Sequence, residues 1–112
     1  MTTGSDVPLG AFEEQVMLAV LRTREEAYGI GVRREIEHRT GREITIGAVY
    51  ATLDRLEAKG LVASARAPAG GASRRIFTVT PAGARALAET RAMRERLWQG
   101  VDLAALLAPR GA

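Results

Sequence analysis

Three arginines, Arg66, Arg74 and Arg75, flank a loop of small residues at 68–73, and no acidic residue stands between them. A guanidinium group can donate two parallel hydrogen bonds to phosphate oxygens, so a cluster of this kind suits the backbone of a nucleic acid. An arginine at the tip of such a loop can enter or flank a DNA minor groove. The alternative is that these arginines only form a solvated surface.

A second group of candidate residues lies at the start of a predicted helix. The small residues Gly47 and Ala48 would let the helix start approach DNA closely and point its backbone N–H groups at a phosphate, unless they only suit an exposed helix start. Tyr50 follows the apolar Val49, so its hydroxyl is expected to project sideways toward DNA; the alternative is a core tyrosine packed on the preceding helix. The residues of this group predicted to contact DNA are Thr45, Gly47, Ala48, Tyr50, Ala51 and Arg55.

The outer side of this helix is chemically plain. Ala51 and Thr52, both predicted on that side, offer only methyl groups and one hydroxyl. We therefore expect affinity from phosphates and DNA shape, with sequence recognised partly through thymine methyl groups. Arg55 could contact DNA or pair with Asp54 or Glu57, and an exposed pair contributes little stability.

The sequence contains no recognisable set of catalytic or metal-binding residues. The sequence contains no cysteine and one histidine, His38, so cysteine nucleophiles and thiolate metal sites are excluded. His38 lacks neighbouring ligands and is expected on a helix surface. No activated serine, acid–base pair or phosphate-binding loop can be recognised. The sequence predicts no enzyme, no metal site and no cofactor.

The elements that must position these side chains follow from the spacing of apolar residues. Helices are predicted over 9–21 and 29–39, the second ended by Gly41 in the left-handed conformation. A third helix begins after Thr45, whose hydroxyl can accept from the backbone N–H of Gly47 or Ala48, and ends at 59–60. Its predicted buried stripe is Val49, Leu53 and Leu56.

After Gly60 the pattern changes to two short β-prone runs around a Gly-Gly loop, which predicts a hairpin. Thr80 and Pro81 suit the N-cap and first position of a fourth helix to about Gln99, followed by a further turn or two within 101–107. Three helices and a two-stranded wing form a winged helix-turn-helix, with the third helix placed to enter the major groove. The predicted fold is mainly α with a small β-hairpin, plus a C-terminal dimerisation helix.

The length of 112 residues suits one domain. We expect a loose tail at 1–8, a winged-helix DNA-binding domain at 9–80, a C-terminal dimerisation helix at 81–108 and a tail at 109–112. Neither a signal peptide nor an apolar run of the roughly 20 residues that span a membrane is present, so a cytoplasmic protein without a membrane partner is expected. The net charge of +3 indicates DNA binding only through the positions of the arginines.

Taken together, the motifs resemble the PadR family of bacterial transcriptional regulators over about residues 9–87. They are Tyr28-Gly29-Ile30-Gly31, the run 47–56, Lys59-Gly60-Leu61-Val62 and the run 78–83. Related winged-helix families share the pattern L-x-x-L-x-x-x-G-L-V, here residues 53–62, so the combination of motifs carries the resemblance. The resemblance implies a tyrosine at position 50 on the DNA face and dimerisation through the C-terminal helix, often helped by the first helix. Some members respond to phenolic acids or drugs, which implies a small-molecule effector.

The C-terminal region carries more apolar side chains than a small winged domain can cover. Pairing with a second copy would bury them and match the two-fold symmetry of DNA half-sites; the alternative is that the helix folds back on its own core. Trp98 either anchors such an interface or lines a cavity between subunits. The predicted dimerisation residues are Leu87, Met93, Leu97, Trp98 and Val101.

The sequence therefore predicts a homodimer that binds a palindromic double-stranded DNA operator and represses transcription until an effector releases it. The alternative function is a winged-helix module that contacts another protein without DNA. That module would be expected to carry a hydrophobic wing, whereas this one is basic.

Overall fold

The computed structural model describes residues 9–69 and 72–109, so the predicted tail at 1–8, the loop glycines 70–71 and residues 110–112 lie outside the described residues. The elements are those of the predicted winged helix-turn-helix, and the mainly α fold with one antiparallel hairpin is confirmed. In chain order they are α1 (Ala11–Thr23), a 3₁₀ turn (Arg24–Glu26), α2 (Gly29–Thr40), α3 (Ile46–Ala58), β1 (Val62–Ala69), β2 (Ala72–Val79), α4 (Pro81–Trp98) and α5 (Ala104–Leu107).

One apolar cluster holds the three helices and the base of the hairpin together. Its largest fully buried side chains include Met17 of α1, Leu53 of α3 and Phe77 of β2. The predicted stripe of α3, Val49, Leu53 and Leu56, is fully buried, since residues three and four apart share one face of a helix. This cluster fixes α3 against α1 and α2 and leaves its opposite side toward solvent.

Local hydrogen bonds set the helix boundaries where the sequence predicted them. The Thr45 hydroxyl accepts from the backbone N–H of Ala48 at 3.1 Å, and the Thr80 hydroxyl accepts from that of Gly83 at 3.0 Å. Gly41 ends α2 with φ 72°, a left-handed conformation that favours glycine.

The start of α1 lies two residues later than predicted. Gly10 is the N-cap of α1 in an extended conformation, and its backbone N–H donates to Glu13 Oε1 at 3.0 Å. A glutamate at this position of the first turn satisfies the N-cap amide, so the helix begins after the glycine.

The hairpin pairs β1 and β2 in antiparallel register from Val62 opposite Val79 to Ala69 opposite Ala72. We call this hairpin the wing. Its base is tied to the fourth helix, because the Thr80 N–H donates to the Leu61 carbonyl at 3.1 Å. The wing therefore leaves the core at a fixed point beside α3.

The first half of α4 packs on the domain and the second half leaves it. Leu87 is partly buried against the core, and the buried Thr90 hydroxyl accepts from the Leu9 N–H at 3.2 Å. Further along, Leu97 is 70% exposed. The radius of gyration is 17.2 Å, against about 13 Å for a compact domain of this size. The second half of α4 thus does not fold back on its own core.

Within the part of the chain that the structure describes, no helix combines the length and the apolar character needed to cross a membrane.

Candidate nucleic-acid interface

The outer side of α3 is formed by small residues, as predicted. Gly47, Ala48 and Ala51 are exposed, and so is the capping Thr45. Thr52 was predicted on the same side, but it is only 3% exposed. That prediction is wrong because position 52 is three residues after Val49 and therefore belongs to the buried stripe. The exposed surface is even plainer than the sequence suggested.

Tyr50 combines the two orientations that the sequence left open. Its side of α3 faces α2, where a Cβ at Gly29 would lie 2.3 Å from Cζ of the tyrosine ring. Only a glycine at position 29 permits this close approach. The residue is still 38% exposed, so its edge remains available at the surface. Tyr50 thus rests with the hydroxyl end of its ring against Gly29 of α2, while part of the residue remains exposed.

A depression of about 410 Å³ joins α2, α3 and the wing. It brings Tyr50 together with all three predicted wing arginines, which lie 16 residues or more further along the chain. Tyr28 and Ile30 also line this site, although the sequence indicated them only as part of a motif. Their position at the start of α2, beside a glycine that contacts α3, could have indicated them. The depression is lined by Tyr28, Ile30, Tyr50, Arg66, Arg74 and Arg75.

Arg74 is exposed, and its guanidinium lies over the Tyr28 ring at 4.3 Å from the centroid. Among the described residues, no carboxylate forms an ion pair with it. A cation–π contact of this kind orients the group without neutralising its charge. Arg66 is also exposed and lies directly opposite Arg75 in the hairpin register.

Arg75 has different surroundings. Its Nη1 donates to Asp54 Oδ1 at 2.9 Å, its Nη2 donates to Glu57 Oε1, and its Nε donates to Ser64 Oγ at 3.2 Å. Phe77 lies beneath the guanidinium, 4.8 Å from ring centroid to Cζ. Hydrogen bonds and charge from Asp54 and then Glu57 raise the pKa of Arg75 above its ordinary value.

Glu57 is held by both strands of the wing. The Ser64 hydroxyl donates to its Oε2 at 2.8 Å, and Arg75 donates to its other oxygen. These two hydrogen bonds, that from Ser64 first, lower the pKa of the Glu57 carboxyl below its ordinary value. Glu57 is therefore a shared acceptor that connects α3 to the wing.

Arg55 pairs with a residue that the sequence did not suggest. Its Nε lies 3.5 Å from Glu13 Oε2 on α1 rather than beside Asp54 or Glu57, and Lys59 Nζ lies 2.9 Å from the same oxygen. Partial burial opposes ionisation of Glu13, but hydrogen bonds from Lys59, the Gly10 amide and Arg55 outweigh it and lower the pKa of the carboxyl. The alternative of a pairing within α3 is thus replaced by a contact between helices.

His38 is exposed on α2, as expected. In the described ranges, no group of three or more histidine or acidic side chains is arranged to hold a metal ion.

The predicted dimerisation residues divide into two sets. Leu87 and Met93 are partly buried, whereas Leu97, Trp98 and Val101 are exposed. We call the exposed set, with its neighbours in the segment that follows, the C-terminal apolar face. It consists of Leu97, Trp98, Val101, Leu103, Leu106 and Leu107.

Two further exposed leucines escaped the sequence analysis. Leu18 and Leu21 lie on the outer side of α1, beside a hollow of about 460 Å³ between α1 and α2. Their spacing of three residues is the pattern that could have revealed them, because it places them on one face of the helix.

Comparison with known proteins gives consistent results. The model of the family described as "Transcriptional regulator PadR-like family" matches residues 17–89. Transcriptional regulator Rv3488 of Mycobacterium tuberculosis is 40% identical over 72 residues, which cover 64% of this chain and 66%, just under two thirds, of that protein.

Solved structures show the same fold. A PadR family transcriptional regulator from Eggerthella lenta is 32% identical with a TM-score of 0.63, covering 85% of this chain and 82% of that one. A PadR-like transcriptional regulator from Bacillus cereus has a TM-score of 0.71 at 19% identity, covering 89% of this chain and 95% of that one. The second likeness concerns the fold alone.

Proposed function

The chain belongs to the PadR-like family of transcriptional regulators, and we propose that it binds a palindromic double-stranded DNA operator as a cytoplasmic homodimer that represses transcription. Its relatives are described as regulators of transcription and not as enzymes. The observation that carries the DNA proposal is the depression in which Tyr28 and Tyr50 lie together with the wing arginines, beside α3. We also propose that a small-molecule effector releases the repressor from its operator.

The geometry suits a helix in the major groove with the wing on the flanking backbone. Gly47 and Ala48 have no bulky side chain, so the start of α3 can approach the bases and direct its N–H groups at a phosphate. Arg74 carries its charge at the surface, supported from below by the Tyr28 ring. The residues proposed to contact DNA are Thr45, Gly47, Ala48, Tyr50, Ala51, Arg55, Arg66 and Arg74.

The homodimer is supported by the C-terminal apolar face. Six apolar side chains in a segment of 11 residues are exposed, and a contiguous apolar surface on a soluble protein is typical of an interaction site. Trp98, 57% exposed, suits an interface anchor, because tryptophan is enriched in the centres of such contacts. Leu87 and Met93 would support the same helix from the side of the domain.

Selection of bound fragments from genomic DNA tests the proposed function. We expect enrichment of fragments that share a palindromic site, including DNA close to the gene of the protein itself. Recovery of no fragment above background, with folded dimeric protein, would reject DNA binding.

A pair of double variants then tests the site. Arg66→Ala with Arg74→Ala should weaken binding of the selected DNA and make the salt dependence shallower, by about 0.9 in log–log slope for each phosphate that the protein no longer neutralises. The matched control, Arg85→Ala with Arg91→Ala on α4, removes the same charge from exposed positions and should leave the slope unchanged. Equal effects of the two double variants would mean that net charge matters and the site does not.

A further inference from the structure

We propose that Arg75, unlike its neighbour Arg74, is a positioning residue that fixes the wing against α3 and does not contact DNA. This inference rests on the proposed DNA-binding function and divides the basic wing into two roles. Composition alone cannot separate two adjacent arginines of the same strand.

The first argument is the geometry of the guanidinium. All three of its nitrogens donate to protein acceptors on two other elements, Asp54 and Glu57 of α3 and Ser64 of β1. Glu57 closes the network by accepting from Ser64 as well, at 2.8 Å. One side chain of β2 thus connects both strands of the wing to the last turns of the helix placed in the groove.

The second argument is charge. One guanidinium faces two carboxylates, so the charge of Arg75 is already matched by Asp54 and Glu57 within the protein. A phosphate at Arg75 would have to displace Asp54 or Glu57 from hydrogen bonds that already exist. Arg74 faces an aromatic ring instead, and its charge remains available to an anion.

The third argument is the location of the cluster on α3. Asp54 is 59% exposed in its side chain and lies on the helix that we place in the groove. An unpaired carboxylate there would oppose DNA binding, so Arg75 both holds the wing and neutralises part of this charge. The angle between the wing and α3 decides whether α3 can contact the bases while the wing contacts the DNA backbone.

Lysine substitutions at the two adjacent positions test the proposal on the DNA selected above. Lysine keeps the charge and binds phosphate as a point charge, but it lacks the planar fork that engages several acceptors at once. We expect Arg74→Lys to bind within about twofold of the wild type and Arg75→Lys to bind about tenfold more weakly. The salt dependence should keep its wild-type slope in Arg75→Lys and in Arg75→Gln, and become shallower in Arg74→Gln.

Glu57→Ala provides a test in which the two roles predict opposite signs. If Arg75 contacted phosphate, removing a nearby negative charge would strengthen DNA binding. If Arg75 positions the wing, removing its acceptor weakens binding, and the effects of Glu57→Ala and Arg75→Gln are less than additive. Glu43→Ala, at an exposed carboxylate just before α3, is the matched control and should not weaken binding.

The outcomes separate this inference from the proposed function. Wild-type protein that binds no DNA overturns the function itself. A second outcome overturns only the positioning role. In it the wild-type protein binds DNA, Arg75→Lys binds with wild-type affinity, and the salt dependence of binding becomes shallower in Arg75→Gln. Thermal unfolding of each variant accompanies the titrations, and a folded Arg75→Lys protein with wild-type affinity is sufficient to reject the proposal.

Discussion

At the scale of single residues, the first turn of α3, which we propose faces the groove, has no large side chain at Gly47 and Ala48. A Cβ at Gly47 would have no atom within 4 Å in this structure, so nothing inside the molecule requires glycine there. Glycine in the interior of a helix costs about 0.5–1 kcal/mol relative to alanine, and a smaller cost applies to Gly47 in the first turn of α3. A residue that lowers stability without an internal reason suggests an external one, the close approach of DNA.

Gly47→Ala should therefore separate stability from binding. We expect a free energy of unfolding higher by up to about 0.5 kcal/mol, because alanine is the better helix former, together with weaker binding of the selected DNA. Chemical denaturation and DNA titration on the same preparation measure the two quantities.

The control for that experiment reverses the substitution at a distant position. Ala84→Gly on α4, at an exposed site, should lower stability by a similar amount and leave DNA affinity unchanged. A Gly47→Ala protein that gains both stability and affinity would contradict the close approach of DNA to this turn.

What the sequence could predict at this scale depended on the range of the interaction. The caps at Thr45 and Thr80 and the stripe of α3 follow from chemistry within one or two helical turns, and they were predicted. The acceptors of Arg75 were not, because Asp54 lies 21 residues away along the chain. The periodicity of apolar residues predicts on which face of a helix or strand a residue lies. It does not predict which distant residue will accept its hydrogen bonds.

At the scale of elements, the first turn of α1 connects the helices proposed for DNA binding and for dimerisation. Glu13 accepts from Lys59, the residue that follows α3, at 2.9 Å, and the adjacent Glu14 pairs with Arg94 of α4. The Leu9 amide adds a hydrogen bond to Thr90 of α4. A short segment with two acidic residues thus fixes α3 and α4 relative to each other.

The lowered pKa of Glu13 predicts how this connection responds to acid. A carboxyl with a lower pKa in the folded state stabilises the protein fully above its unfolded pKa, about 4.3, and this contribution is lost as the pH falls through the folded value. Glu13→Gln should lower stability at pH 7 and make the decline between pH 5 and 3 less steep.

Denaturation at a series of pH values measures the effect. Glu25→Gln, at an exposed carboxylate of the 3₁₀ turn, should retain the wild-type dependence on pH. Parallel curves for Glu13→Gln and the wild type would show that the contacts of Glu13 with α3 add no stability in solution.

At the scale of the whole molecule, a chain with an extended second half of α4 exposes surface that a monomer has no means to bury. The radius of gyration of 17.2 Å is larger than that of a compact domain of this size, and the C-terminal apolar face is exposed. The exposed leucines of α1, Leu18 and Leu21, offer further apolar surface. A two-fold symmetric dimer would contain two copies of each interface side chain, one from each protomer, and would bury both.

Leu97→Glu should consequently yield a folded monomer. Burial of a leucine contributes about 2 kcal/mol, and two copies per dimer correspond to a weakening of dimerisation on the order of a thousandfold. Because Leu97 is 70% exposed within one chain, the winged domain should keep its helix content and unfold cooperatively. Ala88→Glu places the same charge at an exposed position on the opposite side of α4 from Leu97. This variant should remain dimeric. Analytical ultracentrifugation at micromolar concentration distinguishes the two, and a dimeric Leu97→Glu protein would exclude this face as the contact.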